Sequence, residues 1–181
     1  MVLPIAPLMI EHRLIERMID LMKKVLKSTE KTQKIDPKFI DMAVEFIRTY
    51  ADRCHHGKEE DILFKELQKK KLDKKHEKVM NELIEEHIWA RKTTSKLVEA
   101  NNAYREGKIS YINEIINLLR KLVEFYPNHI IKEDDHFFKP VMDYFSEDEL
   151  AEILSNEYEF DRAFIHEYYK DRINALEQQY C

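Results

Sequence analysis

Apolar side chains recur every three or four residues along five stretches of this 181-residue chain, the spacing of helices that bury one face. Polar or turn-forming residues separate the stretches. Asp36 followed by Pro37, Asp73, and Ser146 with Glu149 three residues later are typical helix starts. The pattern therefore predicts an all-α protein with helices over about 7–28, 37–70, 73–105, 110–141 and 146–179.

Composition supports long helices in one domain. Charged residues make up 36% of the chain and there are only two glycines, while the length is sufficient to bury a core without disulfides. We expect a single domain over 1–181, an up-down-up-down four-helix bundle over about 7–141 with an additional C-terminal helix over about 146–179. That last helix is expected to cover one flank of the bundle or to form a homodimer surface. Pro127 predicts a kink or bulge just before His129.

Charge and hydropathy exclude several classes of protein. The formal charge is -5, with Lys and Arg interspersed among Asp and Glu, so no basic patch indicates a nucleic-acid partner. No apolar run approaches the roughly 20 residues that span a bilayer, and the N-terminus lacks a basic region and a cleavage site. Cys54 and Cys181 do not make a disulfide framework. We expect a cytoplasmic protein without membrane partners.

One twelve-residue segment occurs twice in the chain. Residues 54–65 read CHHGKEEDILFK and residues 128–139 read NHIIKEDDHFFK, and without a gap they share His, Lys, Glu, Asp, Phe and Lys. Each copy contains a His-x-x-x-Glu step. Because positions i and i+4 lie on the same face of a helix, each copy presents an imidazole beside a carboxylate.

The duplication extends upstream to a single histidine. Glu11-His12 matches Glu86-His87, and the spacing to the next predicted histidine is 43 residues in the first copy and 42 in the second. Two such helical hairpins packed together bring four histidines and two glutamates to one place. The candidate ligands are His12, His55, Glu59, His87, His129 and Glu133.

This residue set suits a pair of metal ions. Imidazole binds iron, zinc and copper, and carboxylates supply the negative charge that holds two cations close together. Inward-facing carboxylates on the facing helices of a bundle form such sites. We expect two non-haem iron ions with an oxo or hydroxo bridge, two histidines per ion and both glutamates as bridges. Zinc and manganese accept the same ligands.

Several alternatives remain open at this point. A lone His-x-x-x-Glu pair is usually a surface pair worth a few tenths of a kcal/mol, so the prediction depends on the duplication. His56 and Glu60 form a competing pair one residue out of register. Asp134 and His136 lie close enough along the helix to join or replace the predicted ligands.

The pattern of His, His-x-x-x-Glu, His and His-x-x-x-Glu on four successive helices resembles the hemerythrin-like family, also called HHE cation-binding domains. The resemblance covers about Leu8 to Val141 and implies iron ligation by the six candidate residues. Oxygen-carrying members have a second histidine one turn after the third-helix ligand, where this chain has Arg91. The ligand set is more similar to the branch linked to sensing or handling iron, nitric oxide and oxygen, including iron-sulfur cluster repair proteins.

The resemblance implies a protein that binds or senses a small molecule such as O2 or NO at a di-iron site. One alternative is a redox enzyme that handles peroxide or nitric oxide or repairs iron-sulfur clusters at that site. A second is a structural or zinc-binding bundle.

Overall fold

The structure is a computed structural model that describes the backbone of residues 2–180 and the side chains of residues 2–164 and 168. The second cysteine, Cys181, lies outside the described residues. Within the described backbone, all regular structure is helical. The α-helices are α1 (Ile5–Thr32), α2 (Pro37–Phe46), α3 (Phe64–Gln68), α4 (Lys74–Arg105), α5 (Ile112–Ile131), α6 (Phe138–Val141) and α7 (Glu147–Tyr180).

Wider π-helical turns join the shorter α-helices into continuous rods. Ile47–His56 and Glu59–Leu63 connect α2 to α3, and Lys132–Phe137 connects α5 to α6. Single 3-10 turns precede α5 and follow α6. The π-helical turns coincide with the two copies of the repeated segment, and such turns occur frequently at functional sites.

Side chains close the helix starts where the sequence predicts them. The Asp36 carboxylate accepts a hydrogen bond from the Lys38 backbone N–H at 2.9 Å, and Pro37 occupies the first helical position. Asp73 accepts from the His76 backbone N–H at 2.7 Å. Ser146 and Glu149 form a reciprocal capping box at the start of α7, which supplies partners for two backbone N–H groups.

Two local expectations were wrong. The first helix continues past residue 28 to Thr32, because Thr29 is buried at 1% exposure and Gln33 closes the helix in the left-handed region at φ 54°. The bulge expected just before His129 lies after it, since α5 stays α-helical through Ile131. Pro127 is exposed and removes only one donor from the helix, which the surrounding turns tolerate.

The helices pack into two apolar clusters. α1 and α4 both contact α5, and α2 contacts α4. One cluster contains Ile19, Leu97 and Leu119, and the other contains Leu8, Leu83 and Phe138. On every rod the predicted ligands lie near the point where residues of one cluster give way to residues of the other, so they lie in the middle of an apolar interior. No helix in the described part of the chain is both long and apolar enough to cross a bilayer.

Helix α7 packs against the first copy of the repeat. It contacts Glu59–Leu63, and a Cβ atom built on Gly57 would lie 2.8 Å from Cζ of Phe160. Glycine therefore lets α7 approach this turn closely. The equivalent residue of the second copy, Ile131, is 51% exposed.

Candidate metal centre

The structure brings the six predicted ligands together in the interior. Each of them is at most 2% exposed, although all six carry polar or ionisable side chains. Burying such groups is costly unless a partner satisfies them. The residues are His12 from α1, His55 and Glu59 from the first repeated segment, His87 from α4, and His129 and Glu133 from the second repeated segment.

Each glutamate lies between histidines from both halves of the chain. Glu59 places Oε1 3.4 Å from Nε2 of His55 and Oε2 3.5 Å from Nε2 of His87. Glu133 places Oε2 3.2 Å from Nε2 of His12 and Oε1 3.1 Å from Nε2 of His129. The centre therefore has one end formed by His12 and His55 and another formed by His87 and His129, with both carboxylates spanning the two.

Eight atoms of this centre are buried without a hydrogen-bond partner among the described residues. They are Nε2 of the four histidines and both carboxylate oxygens of Glu59 and Glu133. Leaving so many buried polar atoms unpaired costs about 1–3 kcal/mol each. Their separations of 3.1–3.6 Å are those of two atoms bound to one ion at about 2.1 Å. The donor set therefore fits cations.

A second layer of carboxylates fixes the orientation of the four imidazoles. Nδ1 of His12 is 2.7 Å from Asp134, and Nδ1 of His55 is 2.9 Å from Glu11. At the other end of the centre, Nδ1 of His87 is 2.7 Å from Glu60 and Nδ1 of His129 is 2.7 Å from Glu86. A carboxylate at Nδ1 keeps the proton there and leaves the Nε2 lone pair facing the centre, the arrangement found behind metal-bound histidines.

A third layer of cations balances the second. Arg13 donates to Asp134 at 2.5 Å and Arg91 donates to Glu60 at 2.7 Å. Lys58 binds Glu11, and Lys132 binds Glu86. Three pairs of positions match across the sequence repeat, Glu11 with Glu86, Lys58 with Lys132 and Glu60 with Asp134, whereas the two arginines do not. The outer carboxylates are thus neutralised within the protein, and the charge of Glu59 and Glu133 remains available to bound cations.

His56 is the site residue that the repeat does not predict. Its ring is 2% exposed, and one nitrogen each of His56, His87 and His129 lie within 4.8 Å of one another. The sequence offered His55 or His56 as alternative registers, but the structure turns both inward. Glu60 and Asp134 contact the predicted ligands His87 and His12 from the second layer, and His136 is exposed.

Burial and charge set the protonation of the metal-free centre. Burial lowers the pKa of His12, but the carboxylates of Asp134 and Glu133, 2.7 and 3.2 Å from its ring nitrogens, outweigh burial and raise the pKa to about 9. At His129 the negative charge of Glu133 likewise overcomes burial and gives a pKa of about 9. Burial dominates at His55, whose pKa falls to about 4. Protons and cations therefore compete for the same buried atoms.

The pKa values of the two glutamates are shifted in opposite directions. Burial and the neighbouring charge of Glu133 raise the pKa of Glu59 well above its usual value. For Glu133, burial acts upward, but His129 and the other surrounding imidazoles hold the pKa well below its usual value. Two buried carboxylates that repel each other are stabilised by positive charge between them. Protons supply that charge in the metal-free centre, and bound cations would supply it in their place.

Comparison with known proteins agrees with this geometry. Residues 3–141 match the model of the hemerythrin HHE cation-binding domain. Searches of the curated proteins and of the solved structures gave no match. The matched segment contains all six predicted ligands and ends before α7 begins. Since it covers most of the chain, the protein belongs to the hemerythrin HHE cation-binding family.

Proposed function

We propose that this protein binds two iron ions at the centre between the apolar clusters and uses them to bind or sense a small molecule such as O2 or NO. The observation that carries the proposal is the set of eight buried atoms without hydrogen-bond partners. Four imidazole nitrogens surround two carboxylates, and each carboxylate directs one oxygen to each end of the centre. This arrangement supports two cations bridged by Glu59 and Glu133.

The roles of the residues follow from their positions. His12 and His55 would hold one ion, His87 and His129 the other, and the two glutamates would bridge them. When bound, a pair of iron ions supplies redox-active metal with room for a small exogenous ligand. The protein positions the imidazoles through the second-layer carboxylates and excludes bulk water by burial, which strengthens electrostatic interactions in the centre.

The proposal extends to the organisation of the chain. We assign one domain over 1–181 with an up-down-up-down bundle over about 7–141 and a further helix over about 146–179. Short connections support this order, because four residues separate α1 from α2 and five separate α3 from α4. The packing of α1 and α4 on α5 and of α2 on α4 supports it too.

Removal of both bridging carboxylates tests the ligand assignment. Glu59→Ala combined with Glu133→Ala should abolish binding of both ions, measured as metal content per folded chain after anaerobic loading with Fe(II). The matched control is Glu85→Ala with Glu124→Ala, because both of these glutamates are exposed on helices that carry ligand histidines. The control should retain two ions per chain. Retention of both ions by the first double variant would show that the assignment is wrong.

One observation favours the second candidate, a redox enzyme that handles peroxide or nitric oxide or repairs iron-sulfur clusters. A half-open cavity of about 270 Å³ is lined by His56, Tyr126, Asp52 and Arg91. It offers space beside the centre for a substrate such as peroxide to approach. Catalytic consumption of peroxide or nitric oxide in excess of the bound iron would favour the enzyme. A stoichiometric, reversible change in absorption would favour the binder or sensor.

A further inference from the structure

His56 has no counterpart in the second half of the chain. The repeat places it opposite Ile130, so the second repeated segment contributes one histidine where the first contributes two. The extra imidazole is not on the surface, since it is 2% exposed and its ring lies 3.8 Å from the ring of His87, centroid to centroid. The two halves of the centre are therefore unequal in nitrogen donors.

The local helix geometry explains how consecutive residues can both face inward. In a regular α-helix, neighbouring side chains point about 100° apart, so His55 and His56 face different parts of the interior. The segment Ile47–His56 is π-helical, and its wider turns change this register. As a result His55 joins the end of the centre that contains His12, while His56 joins the end that contains His87 and His129.

A carboxylate lies behind His56, as behind the other four histidines. Nδ1 of His56 is 3.4 Å from Asp52, and Arg91 donates through Nε to the same carboxylate at 2.6 Å. Arg91 also donates to Glu60, which supports His87. The Arg91 guanidinium thus donates to both carboxylates that support the stacked rings of His56 and His87. Its planar group has enough N–H donors for both contacts.

We propose that His56 is a fifth histidine ligand, bound to the same ion as His87 and His129. This inference rests on the proposed function, because it assumes that the centre binds two ions. It gives one end three nitrogens and two bridging carboxylate oxygens, and the other end two nitrogens and two oxygens.

Counting ligated imidazoles tests the proposal without an activity assay. The protein loaded with two Co(II) ions is studied by ¹H NMR, in which each ligated ring gives a strongly shifted Nδ1–H signal and a strongly shifted carbon-bound Hδ2 signal. We expect signals from five rings in the unaltered protein and from four in His56→Ala, with two ions bound in each. The matched control, His136→Ala, removes an exposed histidine and should retain five.

The outcomes separate the two proposals. Two bound ions with four rings in the unaltered protein, or an unchanged spectrum in His56→Ala, would overturn the assignment of His56 and leave the proposed function standing. Failure of the unaltered protein to bind two ions would instead overturn the proposed function. Because the Hδ2 protons do not exchange with water, the count in the unaltered protein decides the matter even if His56→Ala fails to fold.

Exogenous imidazole provides a second readout. The cavity of about 270 Å³ borders His56, so truncation of this side chain opens space that a free imidazole can enter. Titration of Co(II)-loaded His56→Ala with imidazole should restore the fifth ring signal in a saturable manner, with no such change in the unaltered protein or in His136→Ala. Absence of a restored signal at saturating imidazole would count against His56 as a ligand.

Discussion

The two halves of the molecule use the same residues near the centre and different residues farther out. Both copies place a histidine, a glutamate and second-layer carboxylates at equivalent positions, for example Glu11 and Glu86. They diverge at Lys58, whose side chain is fully buried beneath α7, and at Lys132, whose side chain is 27% exposed. The proposed coordination of cations would constrain the inner layers of both halves equally, whereas the outer layer depends on which helix covers it.

Helix α7 encloses a cluster of charged side chains in the first half of the molecule. Lys58 contacts Glu11, which supports His55, and it also lies 2.8 Å from Asp161 of α7. Glu157 of α7 is buried with both carboxylate oxygens unpaired among the described residues. Lys132 instead contacts Glu82 and Glu86 of α4 at the surface. The first half should therefore be more sensitive to loss of its lysine.

The largest difference between the halves is expected from lysine removal. Lys58→Met leaves Glu11 and Asp161 without their buried cation, and the expected loss in free energy of unfolding is about 3–5 kcal/mol. Lys132→Met breaks a partly exposed ion pair and is expected to cost at most about 1 kcal/mol. Urea unfolding of the metal-free proteins measures both. Equal losses would contradict the view that α7 makes the two lysines different.

The second-layer carboxylates should act alike in both halves. Glu60→Gln and Asp134→Asn each remove the negative charge behind a ligand histidine, and each is expected to weaken metal binding by about 10–100-fold. Competition with a coloured chelator measures the affinity. Their exposed neighbours Asp61→Asn and Asp135→Asn are matched controls at equivalent positions and should change it little. Weaker metal binding in only one of the two variants would show that the second-layer carboxylates do not act alike.

The smallest expected effect concerns pH and Glu157. Burial raises the pKa of Glu157 to about 8, against the opposing charge of Lys58. The unfolded chain ionises this group near its usual value, so its contribution to stability is intact below about pH 4.5 and is lost as pH rises towards 8. Glu157→Gln should therefore match the unaltered protein near pH 4.5 and exceed it by about 1–2 kcal/mol at pH 8.

The exposed neighbour on α7 supplies the control for this prediction. Glu159→Gln should follow the pH profile of the unaltered protein. Chemical unfolding of the metal-free proteins at several pH values measures the difference. A Glu157→Gln variant that loses stability at pH 8 would show that the ionised carboxylate is stabilising and that the assigned direction of its pKa is wrong.

The repeat in the sequence predicted the helices and which six side chains would meet. It could do so because spacing of three and four residues identifies the buried face of a helix, and the duplication marks the same face twice. The second layer and the two lysines of the third layer also follow the repeat, but charged residues such as Lys58 and Glu60 look like ordinary surface pairs until the packing of the helices is known. Burial of Lys58 depends on α7, which lies outside the repeat.

His56 shows where reasoning from periodicity fails. A period of 3.6 residues does not decide between His55 and His56, and the structure turns both inward within a π-helical segment. These turns depend on tertiary packing, and no residue in 47–56 marks them in the sequence. Gly57 is the one local sign of close packing at this point, and only the structure identifies α7 as the helix that approaches it.

The most direct test of the central claim is the metal content of the protein purified without added metal, with the absorption spectrum of the reduced protein recorded before and after oxygen is admitted. The account predicts two iron ions per chain and a near-ultraviolet absorption that appears with oxygen and disappears when oxygen is removed. Iron that oxidises once and does not return would favour the redox enzyme. Zinc, or no metal, would contradict the claim that this centre is a di-iron site.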